Sequence, residues 1–359
     1  MSYHNSLMEM EWIKMKITTI GLDIAKNVFH MVEISRSGRV LNRKMLRRAQ
    51  LLAFFANHDD CVVVMETCSG ANHWARQFTS MGHQVKLISP KYVKPFLRGN
   101  KNDFNDAEAI AEASQRDNMR FAPVKTVEQE DIQALHRQRE RMKKSRLALS
   151  NQIRGLLAEY GIVMNRGIAT ARRLLPEILE DAQNGLSAMS RDMFAELRDE
   201  LLDLDQRMTR CERVIKAVNK SNPHCQRLDA IVGIGELTAT ATYAAIGDGR
   251  EFKNGRHFSA WLGVVPAQHS SGGKTQLLGI SKRGNTYLRT CFIHGARSVL
   301  LASAGKTDAL SVWAQSVKAR RGHNKACVAL ANKLARIAWV VASGKEYRAA
   351  VGVETKAAA

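Results

Sequence analysis

The spacing of apolar and polar positions changes character twice along the chain, and the changes divide it into three stretches. Over the first 120 residues, short apolar runs alternate with helical patterns. Ile17–Asp23 reads as a strand, Val28–Ile34 follows almost at once, and Gly38 turns the chain into Val40–Leu46, which predicts a three-stranded meander. Gln50–Asn57 predicts a short helix. Cys61–Glu66 is a continuous apolar run ending on a carboxylate, the pattern of a strand buried on both faces. Ala71–Met81 predicts a helix ended by Gly82, Val85–Ser89 a strand stopped by Pro90, and Asp103–Gln115 a helix.

The order β-β-β-α-β-α-β-α is that of a ribonuclease-H-like fold. The second stretch is charged and nearly free of Gly and Pro. In Thr126–Glu159, Leu135, Met142, Leu149, Ile153 and Leu156 recur at helical spacing, and Asp192–Lys220 has the same composition. Two long helices are predicted, a coiled-coil hairpin or arm. Gly161–Gly185 between them has no period and reads as irregular. From Leu228 the chain is mostly helical. Gly233-Ile-Gly235 forms a tight turn between apolar helical stretches and resembles a helix-hairpin-helix turn, whose backbone N–H groups can hold a phosphate. Ser270-Ser-Gly-Gly273 reads as a loop, and Trp74, Trp261, Trp313 and Trp339 read as core. The expected organisation is α/β plus α: a flexible N-terminus at 1–15, an α/β domain at 16–120, a helical arm at 121–225, a mostly helical domain at 226–345 and a flexible tail at 346–359.

Charge changes this picture from a fold to a class of partner. The 359 residues carry 54 Lys and Arg against 34 Asp and Glu, a net +20. Residues 1–120 hold +5, 121–225 hold +3 and 226–359 hold +12, so the last third repels itself unless it meets a polyanion. Nucleic acid is the expected partner. Arg137–Arg146 puts six basic residues in ten, a solvated helix face or a phosphate-contacting arm. No run approaches the roughly 18 apolar residues of a membrane span, and no secretory signal is evident, so no membrane partner and a cytoplasmic location are expected. The six cysteines form no C-x-x-C pair, which disfavours structural zinc and suits reduced thiols.

Four carboxylates fall where the first domain can gather them. Asp23 ends the first strand, Glu66 ends the apolar strand, and Asp103 and Asp106 stand three apart at a helix start, on one face. Singly, each reads as a cap or a solvated turn; Asp103 suits an N-cap. Together they would repel one another without a cation. Hard oxygen ligands suit Mg²⁺ or Mn²⁺, and two such ions about 3.5–4 Å apart can clamp a phosphodiester.

The segments Gly21–Lys26, Val64–Gly70 and Lys101–Glu108 resemble the RuvC-like DEDD domain of the bacterial insertion-sequence family one-ten, including its eleven-eleven branch. Phe258–Pro266, His269–Lys274, Gly279–Asn285 and Leu288-Arg289 resemble that family's second transposase domain. The likeness spans about Ile17 to about Val341. It implies a DNA transposase and recombinase of the nucleoid. Donor and target DNA would be its substrates, a structured element-encoded bridge RNA its guide, and two Mg²⁺ or Mn²⁺ ions its cofactors. It also implies an oligomer, dimer to tetramer, whose composite site joins the carboxylates of one subunit to a serine of another. The implied metal ligands are Asp23, Glu66, Asp103 and Asp106. The implied nucleophile, which forms a 5′-phosphoserine link, is Ser271, with Ser270 beside it. Lys274, Lys282, Arg283 and Arg289 would neutralise phosphate oxygens, and Arg320, Arg321 and Lys325 would touch DNA or RNA phosphate. The alternative expectation is a RuvC-like, structure-specific endonuclease that uses water as nucleophile.

Overall fold

A computed structural model of the chain describes residues 18–100 and 102–345; the flexible segments expected at 1–15 and 346–359 lie outside the described residues. The described residues fall into two compact units divided between Thr126 and Val127.

The first unit is built on a six-stranded mixed sheet. Its strands are β1 (Thr19–Ile24), β2 (Val28–Ile34), β3 (Val40–Arg47), β4 (Val62–Glu66), β5 (Gln84–Ile88) and β6 (Phe121–Ala122), in the spatial order β3-β2-β1-β4-β5-β6. β1 and β4 run parallel at the centre, and the β1–β2 hairpin runs antiparallel beside them. Helices α1 (Arg48–Ala56) and α2 (Ala71–Ser80) cover one face, over Phe29, Met31, Val63 and Met65. Helix α3 (Asp103–Ser114) covers the other, against Val32 and Val64. The alternation of Val63 and Met65 with Val64 is why β4 is apolar throughout: it has a helical layer on each side.

Gly21 decides how close α3 comes. A Cβ there would stand 2.1 Å from the Ala107 carbonyl oxygen and 2.7 Å from the Ala111 nitrogen. Only a residue without a side chain lets the helix backbone lie directly on β1, and Asp23 is two residues further along that strand. Gly21→Ala is therefore expected to destabilise the protein by about 3 kcal/mol and to weaken divalent-cation binding, both measurable by urea titration with and without Mn²⁺.

The second unit begins with a helical hairpin, α4 (Val127–Ala158) and α6 (Ala188–Ser221). Arg139 pairs with Glu212 at 2.7 Å and Arg146 with Asp205 at 2.7 Å, so the helices are antiparallel. The stretch read as irregular holds a helix, α5 (Ile168–Glu180). Pro176 inside it interrupts the pattern, yet Ala171 and Leu175 are buried with Ile153, Leu157, Phe194 and Leu201, and that burial holds the helix together. At the hairpin's root the buried His136 bridges the Tyr287 hydroxyl (2.8 Å) and Thr240 Oγ1 (3.0 Å). Burial and the Arg139 charge pull its pKa down to about 4, so it stays neutral there.

The rest of the unit is α7 (Pro223–Asp229), α8 (Glu236–Ile246), α9 (Gly255–Leu262), a β7–β8 hairpin (Pro266–Ser271, Lys274–Ile280), α10 (Thr286–Ala302), α11 (Ala309–Arg321) and α12 (His323–Ala342). Its core includes Phe258, Leu288, Phe292, Leu330 and Leu334, and Trp261, Trp313 and Trp339 pack against it. The Gly233-Ile-Gly235 turn does lie between two helices, α7 and α8.

Candidate active site

β1 ends on Ile24, just past Asp23, and β4 ends on Glu66, one position beyond the Leu22–Met65 pair of their parallel register, so both carboxylates leave the same end of the sheet. α3 brings in the other two. Asn102, not Asp103, caps this helix: its side chain accepts the Phe104 N–H at 2.9 Å. Asp103 thus stands at the first helical position with its carboxylate released from capping, and Asp106 follows one turn on, on the same face.

Asp23, Asp103 and Asp106 each offer an oxygen, and the three lie within 4.8 Å of one another. Burial and the charges of Asp106 and Asp103 push the Asp23 pKa up. Burial, Asp23 and Asp106 do the same to Glu66, which stands close enough to feel the cluster although it is outside the tight triplet. Three hard oxygens converging at this distance, mutually repelling and partly desolvated, fit a divalent cation by donor type and by charge.

The residues read as a loop at 270–273 are the tip of the β7–β8 hairpin. Gly272 and Gly273 have φ of +55° and +75°, the two-residue turn that matches strand twist and that glycine adopts without strain. Ser271 faces Lys274 across the turn, and Ser270 faces Thr275. Successive residues of a strand alternate faces, so His269, Ser271 and Lys274 share one side and Gln268, Ser270 and Thr275 the other. The Ser270 hydroxyl accepts from Gln268 Nε2 at 2.6 Å and points towards Thr275. The Ser271 hydroxyl has no partner among the described residues and is exposed.

Two family models match the chain. One, described as a transposase and built on the DEDD domain of IS110, covers residues 20–162; the other, described as the IS116/IS110/IS902 transposase family, covers residues 225–310. The chain is 47% identical over 330 residues to a probable family 20 transposase of Pseudomonas aeruginosa, covering 92% of this chain and 98% of that protein. It is 49% identical over 333 residues to the transposase for insertion sequence element IS1111A of Coxiella burnetii, covering 92% of each. A third relative, the transposase for IS1328 of Yersinia enterocolitica, is 41% identical over 327 residues, 90% of this chain and 96% of that one. The chain belongs to the IS116/IS110/IS902 transposase family. It is an insertion-sequence transposase, an enzyme that cleaves and recombines DNA, and its DEDD domain implies use of a divalent metal. Among the described residues no helix is long and apolar enough to cross a membrane.

The seven basic residues expected to meet phosphate divide into two groups in this transposase. Lys274, Lys282, Arg283, Arg320, Arg321 and Lys325 are exposed. Arg289 is only 7% exposed, and its guanidinium donates to the Leu262 carbonyl (3.1 Å), the Arg283 carbonyl (2.9 Å) and Thr286 Oγ1 (3.1 Å). The structure places Arg289 as the clasp that closes the hairpin's return onto α10, a job that turns its guanidinium inward, away from solvent phosphate. Lys282, in that same return, has φ of +53°, the only non-glycine with positive φ among the described residues. Its N–H donates to the Gly263 carbonyl at 3.1 Å, which holds the strained residue in place.

The sequence reading missed His30. The β1–β2 register sets it opposite Asp23, and its Nδ1 lies 3.5 Å from Asp103 Oδ2. The signal was present: only three residues, Ala25–Asn27, join the strands, and so short a connection fixes the register.

Proposed function

We propose that this transposase cuts and joins DNA through a covalent serine–DNA intermediate, with Asp23, Glu66, Asp103 and Asp106 as the metal site and Ser271 as the nucleophile. The convergence of Asp23, Asp103 and Asp106 carries the reading. Bound there, one or two Mg²⁺ or Mn²⁺ ions would supply Lewis-acid stabilisation of the scissile phosphate. The remaining chemistry belongs to the chain. Ser271 Oγ attacks phosphorus, the bond to the 3′-oxygen breaks, a 5′-phosphoserine forms, and the serine proton ends on the departing 3′-hydroxyl. A 3′-hydroxyl of another strand then attacks the phosphoserine and restores the serine. Lys274, across the turn from Ser271, is placed to neutralise a non-bridging oxygen. The open Ser271 hydroxyl favours it over the hydrogen-bonded Ser270.

The family resemblance supports a bridge RNA as guide, a ribonuclease-H-like DEDD domain and a composite site in a tetramer. It also supports the helical hairpin as a coiled-coil arm, and the Gly233–Gly235 turn as a helix-hairpin-helix phosphate contact. The net +20 supplies the countercharge such nucleic acids need.

Part of that charge is assembled on the hairpin. Its antiparallel register brings Arg137, Arg141 and Lys144 of α4 level with Arg210 and Arg213 of α6; all five are exposed and none forms an ion pair among the described residues. Changing all five to Gln is expected to flatten the salt dependence of duplex-DNA binding, lowering the slope of log K against log salt by up to about 4.5. An unchanged slope in fluorescence-anisotropy titrations would remove the hairpin from the DNA interface.

The test of the whole reading is a cleavage assay. Purified protein, Mg²⁺, RNA transcribed from the element and labelled donor and target duplexes are combined and run on denaturing gels before and after protease. A labelled band that moves with protein and collapses on proteolysis is expected. Cleaved ends with no adduct would favour the water-dependent nuclease instead.

A further inference from the structure

Four carboxylates gather at one end of the sheet, and among the described residues a single ionisable nitrogen stands within ion-pair distance of any of them: His30 Nδ1, 3.5 Å from Asp103 Oδ2. Three features fix where this imidazole stands. The β1–β2 register pairs His30 with Asp23. The ring stands edge-on to Phe104 of α3, with centroids 4.8 Å apart and planes at 83°. Its side chain is 14% exposed, while that of Asp103 is 56% exposed. The Nδ1 atom is shut off from solvent and has no hydrogen-bond partner among the described residues. A buried imidazole nitrogen left this way is costly, and a carboxylate oxygen a few tenths of an ångström beyond hydrogen-bond length is its evident partner.

Asp103 needs such a partner more than the other carboxylates do. Asp23 is partly buried at the end of a central strand, whereas Asp103 sits at the exposed first position of a helix whose cap is supplied by Asn102. We propose that His30 is a positioning residue. Its Nδ1–H holds Oδ2 of Asp103, which leaves the other oxygen of that carboxylate directed at the divalent cation shared with Asp23 and Asp106. The inference rests on Asp103 being a metal ligand. It adds an outer contact of the kind that orients ligand groups in metal sites, where loss of the contact typically weakens metal binding by about 10–100-fold.

The experiment is a Mn²⁺ titration of the full-length protein by calorimetry, with electron spin-echo spectra of the bound ion, and it needs no DNA cleavage. His30→Ala is expected to weaken Mn²⁺ binding at least about tenfold. His30→Asn, whose amide nitrogen sits where Nδ1 sits, is expected to restore it. His30→Gln, which carries its amide one bond further out, is expected not to. Melting in chelator separates these effects from folding, and the Asn–Gln contrast stands even where the Ala variant folds poorly. Wild-type Mn²⁺ affinity in both His30→Ala and His30→Gln would overturn the proposal. So would a nitrogen coupling to Mn²⁺ in the wild type that His30→Ala removes, because it would make His30 a ligand. If the affinity pattern holds while no protein–DNA adduct forms, the serine reading fails and the role of His30 stands.

Discussion

Asparagine in place of Asp23 is expected to abolish metal-dependent DNA cleavage and, at the same time, to make the metal-free protein more stable. The first effect follows from the convergence of Asp23 with Asp103 and Asp106, the second from burial, Asp106 and Asp103, which all push the Asp23 pKa up. A carboxyl whose folded pKa exceeds its unfolded value binds protons more tightly when folded. The metal-free protein therefore loses stability as pH rises from the ordinary carboxylate range through the raised value. Neutralising this one carboxyl, as Asp23→Asn does, removes its repulsion with Asp106 and Asp103 and should raise Tm in chelator by roughly 2–4 °C for each kcal/mol relieved. In the presence of Mn²⁺ the order reverses, because the wild type gains cation binding that the variant has lost. Loss of a ligand worth several kcal/mol of charge stabilisation lowers the cleavage rate by about a thousandfold or more. Calorimetric melts with and without Mn²⁺, beside a cleavage assay, check all three parts. Cleavage retained in Asp23→Asn would exclude Asp23 from the chemistry.

Ser271→Ala is expected to eliminate the protein–DNA adduct, while Ser270→Ala retains it. The two hydroxyls are neighbours in sequence and opposites in structure. Ser270 is held by Gln268 on one face of the hairpin, and Ser271, on the other beside Lys274, has no partner among the described residues. A nucleophile must leave its ground-state contacts to reach phosphorus, and Ser271 has none to break. Removing Ser270 costs two exposed hydrogen bonds, one of them long, a small effect on hairpin order. An adduct that persists in Ser271→Ala and vanishes in Ser270→Ala would move the nucleophile by one residue and to the other face.

Much of the first unit was legible in the sequence, because its layers impose clean periods. Val28–Ile34 was read to the residue, and β4 was recognisable because a strand covered on both sides has no polar alternation. The β7–β8 hairpin, of which only the tip at Ser270–Gly273 reads as a loop, is not marked in the sequence for the opposite reason. Pro266–Ser271 and Lys274–Gly279 are exposed on nearly every residue, so no apolar face marks their period; Gly272-Gly273 was the only signal. α5 was hidden by Pro176, whose local cost is offset by burial that composition does not display. At the site, residue types pointed to four carboxylates, three of which converge, but could not separate roles that depend on neighbours. Asp103 looked like a cap until Asn102 was seen to do that job, Arg289 looked like a phosphate contact until its carbonyl partners were in view, and His30 needed a strand register.

The charge along α4 and α6 is also sorted by distance from the hairpin's root. Residues 147–205, which form the far end with α5, carry six basic and ten acidic side chains, whereas the stretch nearer the root carries the free arginines. Beside a polyanion such a rod is drawn down at one end and lifted at the other. The hairpin is thus electrically polarised along its length. Where it meets a nucleic acid, the near end is the end that the phosphates attract and the far end the one that they repel.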